Sequence, residues 1–363
     1  MTFGVYVHIP FCTRRCDYCA FATWTDRHHL IDAYLRACRT EIERAGLPQA
    51  TTVFVGGGTP SLVPAPLLAS LLGDIAREPS AEVTVECNPE TVTAELVDTL
   101  LGAGVTRLSF GVQSMSPVVL RGLGRLHEPA AAVRAARLAV RAGVPSWNVD
   151  LIFGGFGERD TDWRSTLDRV LALDPPHVSA YALTVEAGTP LARDPSRHPD
   201  DDVLADRYLI ADDVLTASGR YNYEISNWAR PGHECRHNLL YWEQGDYRGI
   251  GCAAHSHEAG TRWWNVRSPE RYIDAIVSAR SPVAGREVLD EEARVREALE
   301  LALRTRSGVP ALALAEVDAF VEAGLVSMDG ARAVLTPRGR LVANELAVRL
   351  TAGSEPAGVA RRR

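Results

Sequence analysis

The sequence contains no lysine, so all 39 of its basic residues are arginine. This absence excludes three kinds of site. A phosphate-binding P-loop requires a lysine, and a Schiff base forms on a lysine amine. A lysine general base is likewise impossible in this chain. The chain therefore does not belong to the P-loop nucleotide hydrolases or to the Schiff-base enzymes.

Long apolar runs are also absent, and cysteine is not used as it is in secreted proteins. No window holds about 18 uninterrupted apolar residues, and the first residues, MTFGVYVHIPFC, lack a basic stretch followed by an apolar one. The cysteines form an odd set of seven, and three of them lie within eight residues. That spacing excludes a disulfide framework and predicts a cytoplasmic protein in a reducing compartment.

The overall composition is that of an ordinary globular protein. The 363 residues are 46% hydrophobic and 23% charged, which fits one large domain or two to three modest ones. The formal net charge of -7 argues against a nucleic-acid partner, because such partners usually require a basic stripe.

Six short apolar or β-branched runs alternate with helix-like stretches in the first half of the chain. The runs lie at 5–9, 52–56, 83–87, 107–112, 147–153 and 178–183, and the helical stretches lie near 30–45, 64–77, 92–103, 129–142 and 161–173. Neighbouring parallel strands need a crossover long enough to hold a helix. The pattern therefore predicts an α/β fold, a partial (β/α)6 barrel over residues 1–200.

The rest of the chain divides by composition and residue pattern into three further segments. Residues 201–283 begin with an acidic helix and continue as an aromatic, glycine-rich and histidine-rich extension of the barrel. The pattern of residues 284–350 predicts a helix at 290–304, a hairpin at the Asp-Gly turn 329–330 and a final helix near 337–350. These elements indicate a small α+β winged-helix-like domain with a structural role. Residues 351–363 are predicted to be a disordered tail.

The strongest chemical signal is the segment CTRRCDYC, which holds Cys12, Cys16 and Cys19. A C-x3-C-x2-C spacing can present three thiolates from one loop to a metal centre, and thiolates select zinc or iron-sulfur clusters. Structural zinc usually has four ligands, and here the fourth would have to come from a distant residue such as Cys235, His237 or Cys252. A [4Fe-4S] cluster held by three cysteines instead leaves one iron open. The spacing favours the cluster, with a zinc-stabilised structural barrel as an alternative.

The residues around this loop narrow the interpretation to a family. YVHIPFCTRRCDYCAF resembles the radical S-adenosylmethionine (SAM) superfamily, and within it the group of oxygen-independent coproporphyrinogen III dehydrogenases and HemW heme chaperones. In that group the amino and carboxylate groups of SAM bind the open iron. The dehydrogenases carry another cysteine two residues past the third, whereas this chain has Phe21, as HemW proteins do.

A glycine-rich segment after the second predicted strand matches the SAM site of this family. Three consecutive glycines precede Thr59 and Pro60, and they allow a close backbone approach to a polar ligand. No Gly-Lys-Ser/Thr follows, so this is not a nucleotide-binding P-loop. The segment resembles the family's GGGTP motif, which implies contacts to the SAM amino group from Gly57, Gly58 and Thr59.

Five further residues are implied by the same resemblance. Tyr6 resembles a tyrosine that packs beside the cofactor, and Glu86 and Gln113 resemble polar groups that hold its ribose and methionine portions. Arg125, in LGRLH, resembles the arginine that pairs with the SAM carboxylate, and Asp150 resembles a contact on the adenosyl side. Each of them taken alone could be a helix cap or a surface ion pair. Their order along the chain, tied to the cysteine spacing, supports the SAM site.

The segment 223–257 concentrates histidine, cysteine and aromatic residues, which suit a planar or apolar ligand. Its HNLLYW stretch at 237–242 resembles the HNxxYW motif of HemW, which implies heme binding. His237 is the first candidate for the heme ligand, followed by Cys235 and His233. One departure from the family is GGFGE at 154–158, which lacks the usual proline and leaves the contacts of that loop open.

The resemblance implies a protein that binds heme and passes it to a hemoprotein such as a respiratory, membrane-associated one. Its cofactors would be a [4Fe-4S] cluster and SAM, and its electron donor a protein such as flavodoxin or ferredoxin. SAM cleavage in the manner of the superfamily is compatible with this role. The alternative within the family is an oxygen-independent coproporphyrinogen III dehydrogenase, which decarboxylates two propionates oxidatively. Phe21, HNLLYW and the short segment before Cys12 favour the chaperone.

Overall fold

The computed structural model describes residues 2–351, and the first half of that range is a parallel sheet flanked by helices. The strands are β1 (Phe3–Ile9), β2 (Ala50–Gly57), β3 (Arg77–Cys87), β4 (Arg107–Gln113), β5 (Ser146–Phe153) and β6 (His177–Ala182). The helices are α1 (Ile31–Ala45), α2 (Ala65–Gly73), α3 (Ala94–Gly102), α4 (Pro117–Gly122), α5 (Pro129–Arg141) and α6 (Asp160–Leu171). Strands β1 to β6 are adjacent in sequence order and pair in parallel. The predicted partial (β/α)6 barrel is confirmed.

The alternation of side chains along each strand sets what faces the helices and what faces the barrel interior. In β1, Val5, Val7 and Ile9 are fully buried among apolar residues of the outer layer. The residues between them point to the other face of the sheet. There Tyr6 and His8 are hydrogen-bonded to each other (Tyr6 Oη to His8 Nδ1, 3.1 Å). The apolar core thus lies between sheet and helices, and the barrel interior is polar.

One strand begins earlier than the sequence predicts. The predicted helix at 64–77 ends at Gly73, and β3 already begins at Arg77 rather than at 83. Arg77 pairs with Ala50 of β2, but the register then shifts so that Glu82 lies opposite Thr52. The first part of β3 is therefore irregular and partly exposed, and only its second half has the buried apolar pattern that marks a strand in the sequence.

The extension adds strands to both edges of the barrel sheet. Its elements are α7 (Asp201–Ala217), β7 (Tyr221–Glu224), β8 (Asn227–Ala229), α8 (Arg236–Trp242), β9 (Asp246–Ile250), β10 (His255–Glu258), β11 (Thr261–Asn265), α9 (Pro269–Val277) and β12 (Val283–Val288). Strand β8 pairs antiparallel with β6, whereas β9 pairs parallel with β1. Within the described residues the sheet has 12 strands in the order β12-β11-β10-β9-β1-β2-β3-β4-β5-β6-β8-β7. It is open at β12 and β7, so the barrel is incomplete.

A second, smaller core lies in the C-terminal part of the chain. Its elements are α10 (Glu291–Leu303), β13 (Val309–Pro310), α11 (Val317–Glu322), β14 (Val326–Asp329), β15 (Arg332–Leu335), α12 (Pro337–Leu341) and α13 (Ala343–Ala347). The predicted hairpin is present as β14 and β15, and together with β13 it forms a three-stranded antiparallel sheet. The predicted final helix is instead two short helices, α12 and α13.

The predicted domain division stays a prediction. Its boundary between residues 283 and 284 falls inside β12, which belongs to the large sheet. Apart from Thr351, the predicted tail 351–363 lies outside the described residues. Among the residues that are described, no helix combines the length and the apolar composition needed to span a membrane.

Candidate metal centre and cofactor cavity

The three cysteines lie on a loop after β1 that is closed on itself by backbone hydrogen bonds. The amide of Cys12 donates to the carbonyl of Trp24 (3.0 Å), and the amide of Trp24 donates to the carbonyl of Pro10 (2.7 Å). All three thiols are partly buried and line one cavity of about 420 Å³ at the carboxyl ends of the strands. A volume of this size lies within the usual range for small-molecule sites, roughly 300–1,000 Å³.

The glycine segment after β2 packs directly against the cysteine loop. A Cβ atom on Gly58 would lie 2.7 Å from the carbonyl oxygen of Phe11 and 3.1 Å from Cys12 Sγ. Gly57 has φ +108°, a conformation that disfavours any side chain. The backbone amide of Gly57 donates to Glu86 Oε2 at 3.0 Å. Glycine is therefore required here so that two loops can meet, and Glu86 fixes the position of the second loop.

The surroundings of the thiols suit a metal centre held by thiolates. Burial raises the pKa of Cys12 to about 11 and also raises the pKa of Cys19, so these thiols bind protons until a metal displaces them. Thr59 Oγ1 donates to Cys12 Sγ, and Arg125 Nη1 donates to Cys16 Sγ, both at 3.5 Å. Such donors stabilise sulfur ligands once they are deprotonated, and they tune a bound cluster.

The arrangement fits a cluster better than a single ion. Within residues 2–351, no three histidine, cysteine, aspartate or glutamate side chains are grouped closely enough to share one metal ion. Zinc needs four ligands on one ion, whereas the three cysteines that hold a [4Fe-4S] cluster each bind a different iron. The other cysteines, Cys38, Cys87, Cys235 and Cys252, are buried free thiols, and of these Cys87 lines the same cavity as the loop.

Ten of the residues predicted for the cluster and for SAM line this single cavity. They are Cys12, Cys16, Cys19, Gly57, Gly58, Thr59, Glu86, Gln113, Arg125 and Asp150. They come from the ends of five parallel strands and from the loops that follow them. The structure therefore brings together what the sequence spreads over about 140 positions, and their individual roles toward SAM stay predictions.

Arg125 is held in place by three contacts. Besides its bond to Cys16, its Nη2 atom donates to Asn88 Oδ1 (2.8 Å) and to the carbonyl of Gly111 (2.7 Å). Its Nε atom is buried and has no partner among the described residues. Guanidinium geometry suits carboxylates, and an unpaired buried donor is costly, so this arginine fits a ligand carboxylate in the cavity.

Gln113 occupies a strained backbone position at the end of β4. Its φ of +65° lies in the left-handed region, and the pairing of β4 with β5 shifts register between Gly111 and Gln113. Non-glycine residues in this region cost on the order of 1–2 kcal/mol and cluster at functional sites. The local irregularity places the Gln113 side chain on the cavity wall rather than in the strand ladder.

Tyr6 lies apart from this group, in an inner cavity of about 200 Å³ below the first. Both cavities are lined by Glu86, Ser109, Asp150 and Tyr181, so they adjoin each other. The inner cavity also holds Arg107, whose buried Nε atom has no partner among the described residues. Tyr6 is thus placed in the barrel interior beneath the cofactor cavity rather than on its wall.

The carboxyl groups between the two cavities have raised pKa values. Burial, followed by the charge of Asp150, raises the pKa of Glu86 to about 7. Burial also raises the pKa of Asp150, although hydrogen bonds from Ser109 Oγ (2.9 Å) and Asn148 Nδ2 (2.7 Å) oppose this effect. Near neutral pH the pair therefore holds protons more readily than isolated carboxyl groups would.

The predicted heme ligands do not line the cysteine cavity. His237, on α8, is fully buried in the barrel floor, where its Nδ1 atom is hydrogen-bonded to Thr52 Oγ1 and its Nε2 atom to Tyr241 Oη, both at 2.8 Å. Burial lowers its pKa to about 3, so the ring is neutral. Cys235 is also fully buried, and His233 Nδ1 is hydrogen-bonded to Ser146 Oγ (3.0 Å). His237 also lines the inner cavity that holds Tyr6, and the three ligand assignments stay predictions.

Two polar residues of the site were not singled out by the sequence. Asn88 donates to Thr59 Oγ1 (3.1 Å) and accepts from Arg125, so it links the glycine loop to the arginine. His8 hydrogen-bonds the carbonyl of Ala22 through Nε2 (2.9 Å), which ties β1 to the cysteine loop. Their positions at the ends of predicted strands were the available signal. Asn88 lies two residues after Glu86 in ECNPE.

The GGFGE loop has its own internal support. Glu158 Oε2 accepts from the amide of Gly154 (2.7 Å) and pairs with Arg207 Nη1 of α7 (3.0 Å). The buried carboxylate thereby fixes the turn in the absence of the proline that is usual in the family. This loop does not line the cysteine cavity.

The comparisons with known proteins agree with this geometry. The family model "Radical SAM superfamily" matches residues 6–170. The heme chaperone HemW of Mycobacterium tuberculosis is 45% identical over 363 residues, covering 94% of this chain and 93% of that protein. HemW of Bacillus subtilis is 34% identical and covers 94% of this chain and 97% of that protein. The structure of HemN, the coproporphyrinogen III oxidase of Escherichia coli, superposes with a TM-score of 0.82 at 24% identity and covers 96% of this chain and 89% of that one.

Proposed function

The chain belongs to the HemW family of the radical SAM superfamily, and from this we propose that it binds heme and delivers it to a hemoprotein. The similarity to HemW proteins extends over 94% of the chain, and this observation carries the proposal. The likeness to HemN concerns the fold alone.

The cofactors of the superfamily are a [4Fe-4S] cluster and SAM, and the cysteine cavity has the residues to hold both. Cys12, Cys16 and Cys19 would bind the cluster. When bound, these groups would supply one-electron chemistry to the cavity. The chain's own residues position them: Gly57 and Gly58 permit close approach, and Arg125 presents a fixed cation.

We propose the remaining partners on the same premise. A recipient hemoprotein of the respiratory, membrane-associated kind would take the heme, and a flavodoxin or ferredoxin would supply electrons to the cluster. A cytoplasmic location accords with the four buried free thiols.

The alternative function is the oxidative decarboxylation of coproporphyrinogen III. One feature of the site argues against it. Phe21 lines the cavity next to Cys19, with 66% of its side chain exposed, where the dehydrogenases that the chain resembles carry a cysteine. The chaperone function is therefore favoured.

A single set of assays separates the two functions. We expect anaerobically reconstituted protein to contain about four irons per chain and to bind heme near one to one, without consuming coproporphyrinogen III in the presence of SAM and a reductant. The Cys16→Ala variant controls for iron content, and Cys38→Ala is the matched substitution of a cysteine outside the loop. Catalytic conversion of coproporphyrinogen III to protoporphyrinogen IX would overturn the chaperone assignment.

A further inference from the structure

Four histidines of the segment 223–257 could in principle ligate heme iron, and the structure separates them by accessibility. An axial imidazole needs a ring nitrogen that is free to reach the metal. His237 has hydrogen bonds at both ring nitrogens. Within residues 2–351, His257 has an unpartnered Nε2 atom, but that atom is buried, and its Nδ1 atom is hydrogen-bonded to the carbonyl of Gly245 (3.0 Å). His233 is partly buried and engages Ser146. His255, at the start of β10, is the exposed one.

The sheet register places His255 in a row with two residues of the neighbouring strands. His255 lies opposite Trp264 of β11, and Trp264 lies opposite Gly285 of β12. Side chains paired across strands share one face. A row therefore runs to the sheet edge through His255, Trp264 and Gly285; we call it the upper row. On its other side His255 meets β9 through its backbone, because a Cβ atom on Gly249 would lie 2.1 Å from the carbonyl oxygen of His255.

The upper row is flat and aromatic. The rings of His255 and Trp264 stack with centroids 5.8 Å apart and planes inclined by 28°. A Cβ atom on Gly285 would lie 2.5 Å from the Trp264 ring, so the indole lies over the glycine. Trp264 keeps 37% of its surface exposed. Large planar apolar ligands gain most from such exposed aromatic surface.

The lower row beside it is closed. Its residues Tyr247, His257 and Arg262 lie on the same face, and Arg262 pairs with Glu297 of α10. Tyr247 packs edge-to-face on Tyr241 of α8 (4.6 Å between centroids). Helices α8 and α10 thus cover the lower row, while His255 and Trp264 remain open to a ligand.

The upper row has a cation beside it. Arg267 follows Trp264 by three residues and lies just past the end of β11. Arg267 is exposed, and guanidinium groups pair well with carboxylates such as the propionates of heme.

We propose that His255 is the axial ligand of the heme iron, with Trp264 contacting the porphyrin face and Arg267 binding a propionate. The inference rests on the proposed heme-binding function and names the residues that carry it. It places the cargo on the open upper row and outside the barrel floor where His237 lies.

The test is a heme titration of the anaerobically reconstituted chain, followed by absorbance in the Soret region and by electron paramagnetic resonance of the ferric heme. The variants are His255→Ala, the matched controls His237→Ala and His233→Ala, and Trp264→Leu. Loss of groups around a metal typically weakens binding 10- to 100-fold, so we expect His255→Ala to weaken heme binding by about tenfold or more and to change the spin state. Added imidazole should restore the wild-type spectrum.

The outcomes separate this inference from the proposed function. If the wild-type chain binds no heme, the proposed function fails and the ligand assignment fails with it. If the wild type binds heme and His255→Ala retains its affinity and spectrum, only the assignment of His255 is overturned. If heme affinity and spectrum change only in His237→Ala, the axial ligand is His237 in the barrel floor and the assignment of His255 is overturned. Circular dichroism confirms that each variant is folded.

Discussion

Three glutamates have carboxyl groups whose pKa is raised by burial. The pKa of each of Glu86, Glu158 and Glu224 is raised to about 7, and burial is the largest cause in every case. A folded-state pKa above the ordinary value means that the folded chain keeps a proton which the unfolded chain releases. Stability contributed at these sites is therefore lost as the pH rises from about 4.5 to about 7.

We expect Glu86→Gln to remove the loss of stability that ionisation of Glu86 causes as the pH rises. The glutamine carbonyl can still accept from the Gly57 amide, while no charge has to be buried between the two cavities. The pKa difference corresponds to about 3 kcal/mol, so the free energy of unfolding of the variant should exceed that of the wild type by about this amount at pH 8 and equal it near pH 4. Urea unfolding of the metal-free protein across this pH range measures it. A difference that stays constant with pH would contradict the titration of Glu86.

At the scale of elements, the GGFGE loop depends on α7 for its shape. Glu158 and Arg207 are both almost fully buried, and the Nη2 atom of Arg207 also donates to the Glu158 carbonyl (2.5 Å). A buried ion pair is weak evidence for net stability, but removing one partner leaves an unpaired buried group. The loop and the helix therefore depend on each other.

We expect Arg207→Met to lower the free energy of unfolding by about 3 kcal/mol, and the double variant Arg207→Met with Glu158→Gln to recover part of the loss. Thermal unfolding at pH 8 measures both. Arg159→Met is the control, because Arg159 pairs with Asp162 on the exposed surface and its loss should change little. Equal destabilisation of the single and double variants would show that the lost packing of Arg207 matters more than its charge.

Elements that follow local rules were predictable from the sequence, and those set by tertiary contacts were not. The six parallel strands and the cysteine loop follow from short-range patterns. The position of α8 does not follow from such patterns, because contacts with neighbouring elements set the position of a seven-residue helix. His237 of this helix is hydrogen-bonded to Thr52 of β2 as well as to Tyr241. HNLLYW marks His237 in the sequence but cannot show that both ring nitrogens are engaged. The positive φ of Gln113 likewise follows from the register shift of β4.

At the scale of the molecule, one of the contacts that attach the C-terminal core to the barrel is a compact polar one. Arg340 of α12 donates to Asp212 Oδ1 (2.9 Å) and to Tyr208 Oη (3.1 Å) of α7. Asp212 Oδ1 also accepts from Trp228 Nε1 (2.8 Å). One arginine therefore joins the small core to a helix and a strand of the large one.

We expect Arg340→Ala to loosen the C-terminal core without disturbing the barrel. The variant leaves a buried carboxylate with only a tryptophan donor, and truncating one partner of such a pair is costly. Hydrogen exchange should become faster across β14, β15 and α12, while β1 to β6 stay protected. Arg338→Ala, an exposed neighbour on the same helix, should behave like the wild type. Faster exchange throughout the molecule would mean that the two cores unfold as one unit.

In both of the pairs Arg207–Glu158 and Arg340–Asp212 the cation is a guanidinium, which keeps its charge under alkaline conditions. A lysine ammonium would lose its charge near pH 10.4, whereas guanidinium stays charged beyond it, and this chain has no lysine. In alkali the titrating side chains are thiols and phenols, and burial raises the pKa of Cys87 and Cys235 to about 12. The attachments of the loop and of the C-terminal core are thus alkali-resistant, and deprotonation of the buried thiols and tyrosines sets the upper pH limit of the fold.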